Sequence, residues 1–217
     1  MITEMLASLM STHDLTEPPQ ADPMPLLIEW FREAERSGKY KDYNAFCLAT
    51  ATPDGIPSAR MVLCKSIEPT GSLTFFTNYE SRKGRELASN PRAAAVFHWP
   101  HAGRQARLEG TIQRVSAAES DEYFRSRSLL SRIGASVSRQ STPIASRAQL
   151  VSAAMPLARA AATGAEIPRP AHWGGFRLTA RAVELWANRE GRLHQRILWR
   201  RSDTDRAGGW DPILLAP

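Results

Sequence analysis

No apolar run in the chain approaches the roughly 20 residues that a membrane-spanning helix requires. Cysteine is scarce: Cys47 and Cys64 are the only two in 217 residues, and both sit inside apolar, strand-like runs. They read as small buried hydrophobes, not as a disulfide or a thiolate metal site. The five histidines are dispersed and neither H-E-x-x-H nor C-x-x-C occurs, so no metal is expected. G-x-G-x-x-G, G-x-x-x-x-G-K-[ST] and G-x-S-x-G are also absent. Their absence removes the signals of a dinucleotide fold, a P-loop and a nucleophile elbow. The first residues carry Glu4 and Asp14 and no basic stretch followed by an apolar core, so no secretory signal is read and a reducing cytoplasm is expected. Lysine is rare as well, with 4 against 24 arginines. The net charge of +6 raises the question of nucleic acid, but the arginines are scattered without a basic run or a known module. The planar guanidinium fork equally suits phosphate and carboxylate ligands.

What is present reads as a polar arm followed by one globular domain. Residues 1–21 are polar, contain Pro18-Pro19 and lack periodicity, which predicts a flexible arm. Asp22-Pro23 reads as a helix start, with an apolar face at Leu26, Leu27, Trp30, Phe31 and Ala34 and a stop at Gly38. From Ala45 the period changes to that of short strands: Ala45 to Thr52, Ser58 to Lys65 and Leu73 to Thr77, joined by Pro53-Asp54-Gly55 and Pro69-Thr70-Gly71 turns. A second hairpin spans Ala93 to Trp99 and Arg104 to Val115, whose polar face holds Gln105, Arg107 and Glu109. Trp173-Gly174-Gly175-Phe176-Arg177 opens a later strand, and Trp210 to Pro217 reads as an apolar tail docked on the body. The fold class expected is mainly β with peripheral helices (α+β), an antiparallel meander or barrel. Ser146 to about Ala162 reads as an Ala-rich helix kinked or broken at Pro156.

Three segments carry candidate chemistry. Arg192-Leu193-His194-Gln195-Arg196 reads as the second strand of a hairpin, so Arg192, His194 and Arg196 would share one face. That face is either solvated or a device for an anion or a polarisable ring. Ser81-Arg82-Lys83-Gly84 opens a short helix with cations in its first turn, against the usual preference of the macrodipole. Cations beside free backbone N–H groups make either a phosphate seat or two solvated charges. Ser116-Ala117-Ala118-Glu119 is a capping box, and the helix it starts would carry Tyr123, Arg127 and Ser131 along one ridge, all able to donate to phosphate oxygens.

In this order the segments resemble the pyridoxine/pyridoxamine 5′-phosphate oxidases. The matching stretches are Ser58 to Lys65, Phe76-Thr77-Asn78, Ser81-Arg82-Lys83, Arg104-Gln105, Tyr123 to Ser131, Ser138 to Ser141, Trp173 to Arg177, Glu184-Leu185-Trp186 and Arg192 to Arg196. The resemblance implies an FMN-binding split β-barrel over 22–217, acting as a homodimer with FMN at the subunit interface. It implies oxidation of pyridoxamine or pyridoxine 5′-phosphate to pyridoxal 5′-phosphate, with O2 reduced to H2O2 and neither nucleic acid nor membrane as partner. Carried over residue by residue, it puts FMN against Arg60, Met61, Val62, Leu63, Cys64, Lys65, Phe76, Thr77, Arg82, Lys83, Gln105, Gln140, Ser141, Trp186 and Arg196. The substrate phosphate falls to Lys65, Tyr123, Arg127 and Ser131, and the reacting carbon to Arg192 and His194 as catalytic residues. Arg60 and Lys65 are five apart, which puts them on opposite faces of a regular strand. The chain departs from the family in three places: 1–21 lacks the R-x-x-Y element, Gln195 replaces an aspartate, and the ending Leu214-Leu215-Ala216-Pro217 lacks the usual arginine. These departures bear on the substrate more than on FMN. An FMN oxidase of another reduced aromatic, of the phenazine-assembly type, and a non-catalytic flavin or pyridoxal phosphate carrier remain alternatives.

Overall fold

A computed structural model of the chain describes residues 15–16, 19–202 and 209–217. Its strands are β1 (Ala45–Ala51), β2 (Pro57–Glu68), β3 (Ser72–Asn78), β4 (Arg92–Trp99), β5 (Arg104–Arg114), β6 (Trp173–Ala187), β7 (Gln195–Arg201) and β8 (Trp210–Leu214). They form one antiparallel sheet in the order β3-β2-β1-β4-β5-β6-β7-β8, and an additional β3–β6 pairing closes the first six into a barrel. Strand alternation fills the interior: Phe46 and Leu48 of β1, Phe75 of β3, Phe97 of β4 and Leu108 of β5 are fully buried. The rings of Phe46, Phe75 and Phe97 pack with centroids 5.3–5.8 Å apart. Each such side chain contributes about 1.5–3 kcal/mol by leaving water, so these alternating runs define the barrel.

The helices are α1 (Met24–Arg36), α2 (Arg82–Ser89), α3 (Ala117–Ser126), α4 (Leu129–Val137) and α5 (Arg147–Ala162). Helix α1 buries Met24, Leu27, Trp30 and Ala34 in the barrel's core cluster. The Asp22 carboxylate accepts from Met24 N–H at 2.9 Å, as a start signal should, although the helix begins one residue later than the sequence suggests. Helix α5 continues through Pro156 without breaking. Its Ala154, Leu157 and Ala161 pack against the cluster formed by Phe124, Ile133, Ile167 and Trp173, and this packing outweighs the lost backbone bond.

Two expectations are corrected. Strand β7 starts at Gln195, not Arg192, because Gly191 and Arg192 both take left-handed backbone, with φ of 64° and 62°. Residues 188–194 are therefore a loop with a 3-10 turn at 190–192, and Arg192, His194 and Arg196 share no strand face. The ridge expected along one helix is also broken. Arg127 has extended backbone at the end of α3, and Ser128 caps a new helix, α4, by accepting from Ser131 N–H. Most of the arm, 1–14 and 17–18, lies outside the described residues. Where the arm is described, Leu15 is 1% exposed in the core cluster and Gln20 C=O accepts from Trp199 Nε1 at 2.7 Å.

Candidate functional site

The barrel is split at the β2–β3 seam. The two strands pair from Glu68↔Ser72 to Cys64↔Phe75, with a bulge at Lys65. Beyond that point β3 stays with β6 to Asn78↔Trp173, while Pro57 to Leu63 of β2 pairs only with β1. Cys64 turns its backbone toward β1: its N–H donates to Asn44 C=O at 2.8 Å and its C=O accepts from Asn44 Nδ2 at 2.9 Å. Alternation then directs the backbone groups of Met61 and Leu63 into the seam, where no described strand takes them. A cleft of about 1060 Å³ occupies the seam. Residues from both faces of β2 line it, Arg60 and Val62 from one and Met61, Leu63 and Lys65 from the other. The odd spacing of Arg60 and Lys65 is resolved in this way: they sit on opposite faces of a strand whose free edge borders the cleft.

One end of the cleft is the start of α2. Ser81 caps this helix by accepting from Gly84 N–H, and Gly84 must be glycine because a Cβ would lie 2.1 Å from Tyr79 C=O. Lys83 is 7% exposed and its Nζ donates only to neutral oxygens: Gln140 Oε1 at 2.6 Å, and Thr77 and Ser81 hydroxyls at 3.2 Å. Burial, with the nearby Arg60 charge, lowers its pKa to about 8. Arg60 and Arg82 instead share Glu86, at 3.3 and 2.8 Å. Burial acts to raise the Glu86 pKa, but hydrogen bonds from Ser58, Thr50, Arg82 and Arg60 outweigh it and hold it at about 2. Lys83 is thus a buried cation with no counter-ion among the described residues, beside helix N–H groups and Gln140, and in the same cleft as Ser141. These donors suit a phosphate, and the open β2 edge suits a planar ring with polar edges. The residues present therefore fit FMN.

Lys65, Tyr123, Arg127 and Ser131 all line the same cleft despite the broken ridge. Tyr123 stacks on Phe76 at 4.0 Å, and Phe76 on Trp173 at 5.6 Å. Arg127 Nη1 is buried with no hydrogen-bond partner among the described residues, and burial lowers the Arg127 pKa.

The structure does not bring every candidate to this cleft. Cys64 points into the core, where burial pushes its thiol up to about 12. Gln105, Trp186 and Arg196 lie in register across β5, β6 and β7, outside the cleft-lining set. Arg192 and His194 join that second group. The His194 ring lies 4.6 Å from Trp186 and its Nδ1 accepts from Arg189 N–H at 3.2 Å, so neutral His194 carries its proton on Nε2. Arg196 is held by the buried Glu184 carboxylate at 2.9–3.0 Å. Gln195 accepts from Arg189 Nη2 at 2.6 Å and donates to Leu15 C=O at 3.4 Å, tying the loop to the arm. The two non-glycine residues with left-handed backbone among the described residues are Ser141 and Arg192, both candidates here. Such conformations cost on the order of 1 kcal/mol and persist where the surroundings enforce them.

Sequence reasoning missed Trp173 as a wall of the cleft, and Glu86 and Glu184 as the carboxylates that orient Arg60, Arg82 and Arg196. The Arg82–Glu86 spacing of four was legible; Arg60–Glu86 crosses from β2 to α2 and Arg196–Glu184 from β7 to β6, and these were not. Among the described residues no three His, Cys, Asp or Glu side chains gather as a metal site, and no helix is long and apolar enough to cross a membrane.

Residues 33–156 match the family model described as pyridoxamine 5′-phosphate oxidase, and 173–217 match the pyridoxine 5′-phosphate oxidase C-terminal dimerisation region. A pyridoxine/pyridoxamine 5′-phosphate oxidase of Novosphingobium aromaticivorans is 47% identical over 92% of this chain and 95% of its own length. One from Burkholderia vietnamiensis is 48% identical over 90% of this chain and 89% of its own. The crystal structure of PhzG from Burkholderia lata, in complex with tetrahydrophenazine-1-carboxylic acid, superposes with a TM-score of 0.83 at 32% identity, covering 95% of this chain and 100% of that one. An FMN binding protein of Nostoc punctiforme shares the fold, with a TM-score of 0.72 at 19% identity over 91% of this chain and 98% of its own. With the split seam, its anion-seeking groups and these matches together, the chain belongs to the pyridoxamine 5′-phosphate oxidase family of FMN-binding oxidases.

Proposed function

We propose that the protein oxidises pyridoxamine 5′-phosphate or pyridoxine 5′-phosphate to pyridoxal 5′-phosphate, with O2 reduced to H2O2 and, for the amine, water taken up and ammonia released, as a homodimer holding FMN at the subunit interface. The observation that carries this reading is the set of Lys65, Tyr123, Arg127 and Ser131 lining one cleft, with Arg127 Nη1 buried and without a hydrogen-bond partner among the described residues. A phosphorylated substrate uses all four groups.

Lys83, Arg82, Gln140 and Ser141 would hold the FMN phosphate, and the Met61 and Leu63 backbone the ring edge. Bound FMN supplies the hydride acceptor and passes the electrons to O2. Clamping the remote phosphate fixes where the substrate's C4′ lies, so binding energy is used for orientation. Arg192 and His194 would reach the pyridine ring from the partner protomer, since both lie outside the cleft of their own. The match of 173–217 to a dimerisation region supports that assignment. His194, holding its proton on Nε2, would donate a hydrogen bond to the substrate.

The second reading, oxidation of a reduced phenazine-type aromatic, is favoured by the likeness to PhzG. Anaerobic mixing of the FMN-loaded protein with pyridoxamine 5′-phosphate separates the two. Rapid bleaching of the flavin band, with recovery and peroxide on admitting air, is the expected result. A persistent yellow colour would exclude the phosphate ester as substrate and favour the aromatic.

Lys83 gives a pH dependence. Its pKa in the ligand-free protein is lowered to about 8, so it is a cation below that pH and neutral above it. FMN binding to the apoprotein should weaken by about fivefold from pH 8 to 9, because the phosphate must then draw in a proton. Titration with FMN at pH 7, 8 and 9 tests this, and an affinity flat across the range in wild type would remove Lys83 from the FMN phosphate seat.

A further inference from the structure

Both cations of the phosphate clamp rest on aromatic faces, and neither has a carboxylate partner among the described residues. Arg127 lies over the Trp173 ring, 4.7 Å from its centroid, and Lys65 Nζ over Tyr123 at 5.6 Å. Several other arginines are held by carboxylates, although Arg104 also lies over the Trp30 ring, and Arg114 and Arg201 lie over Tyr79 and Trp210. Arg60 pairs with Glu86, Arg104 with Glu33, Arg169 with Asp121 and Arg196 with Glu184. A carboxylate occupies the in-plane N–H fork and cancels the charge. A ring face attracts the cation from above and leaves the in-plane donors open. Arg127, with Nη1 buried and without a hydrogen-bond partner among the described residues, has the second arrangement.

We propose that Trp173 is a positioning residue of the substrate-phosphate site: it shelves the Arg127 guanidinium so that its donors stay unpaired until a phosphate monoester arrives. The proposal rests on the substrate reading above and deepens it. The shelf is firmly built. Trp173 is 6% exposed, its N–H donates to Pro170 C=O at 3.0 Å and its C=O accepts from Arg169 Nη1 at 2.6 Å. Phe124 meets it edge to face at 5.2 Å. The following Gly174 admits no side chain, since a Cβ would sit 2.1 Å from the Tyr79 hydroxyl, so the strand that presents Trp173 is fixed against Tyr79. With no internal counter-ion, the two shelved cations favour a dianionic phosphate over a neutral hydroxymethyl group.

The test compares Trp173→Leu and Trp173→Phe, each alone and with Arg127→Ala, in the FMN-loaded protein. The readouts are calorimetric affinity for pyridoxal 5′-phosphate, for inorganic phosphate and for unphosphorylated pyridoxal, with KM, kcat, flavin content and Tm. Trp173→Leu should weaken both phosphate probes by about 3- to 30-fold and raise KM for pyridoxamine 5′-phosphate similarly. Affinity for unphosphorylated pyridoxal should fall by much less than affinity for the phosphate probes, and Trp173→Phe should restore part of the phosphate affinity. In the Arg127→Ala background either Trp173 substitution should have almost no effect on phosphate affinity. Equal losses for phosphorylated and unphosphorylated probes, or additive losses with Arg127→Ala, would overturn the proposal and leave Trp173 a plain wall. If Trp173→Leu does not fold, the Trp173→Phe cycle decides alone by the same criterion. If wild type binds neither phosphate probe, the substrate reading itself falls, and the shelf with it.

Discussion

Arg127→Ala is expected to raise KM for pyridoxamine 5′-phosphate by about 10- to 150-fold. A charged hydrogen bond to phosphate is worth about 1.5–3 kcal/mol, and each 1.4 kcal/mol is tenfold in affinity. The change in stability should be small, because two effects of about 1–2 kcal/mol oppose each other. Removing the side chain relieves a buried, unpartnered Nη1, and it also loses the contact with Trp173. A Tm close to wild type, full flavin content and a raised KM together would mark Arg127 as a binding group kept at no profit to the fold. An unchanged KM would take it out of the clamp.

Mixing two impaired variants should restore activity. Arg192→Ala alone should lower turnover strongly while the protein still purifies yellow, since Arg192 lies outside the cleft of its own protomer. In a dimer of one Arg192→Ala and one Arg127→Ala chain, one site receives both defects and the other receives neither. Random assortment makes half of the dimers mixed, so co-expression should recover about a quarter of wild-type turnover. The measurement is steady-state rate at low substrate, where both parent homodimers are slow. A rate no higher than the mean of the parents would mean that each protomer completes its own site by movement of 188–194. Flavin loss in Arg192→Ala would reassign that residue from the reacting carbon to the cofactor.

The short alternating runs made the β-rich class legible, since burial on a strand repeats every second residue and Phe46, Leu48, Phe75, Phe97 and Leu108 follow that rule. The capping signals at Ser81 and Ser116 were local and held, while Asp22 accepts from Met24 N–H but Pro23 is the N-cap. Tyr123, Arg127 and Ser131, which line the cleft, were singled out from the sequence as groups able to donate to a phosphate, and Lys65 through the family resemblance. The tertiary structure decided what those donors do. Whether Arg82 or Lys83 is the free cation depends on Glu86, which takes Arg60 and Arg82 and leaves Lys83 to neutral oxygens. The helical ridge of Tyr123, Arg127 and Ser131 breaks at Ser128, yet the fold returns all three to one cleft. The strand face expected at Arg192 dissolves because two successive left-handed residues cannot continue a sheet. Sequence determined which side chains were available and the local periods that make strands and helices. Only the closed barrel, by parting β2 from β3, determined which charges are cancelled and which are left facing a ligand, because that depends on partners far apart in the chain.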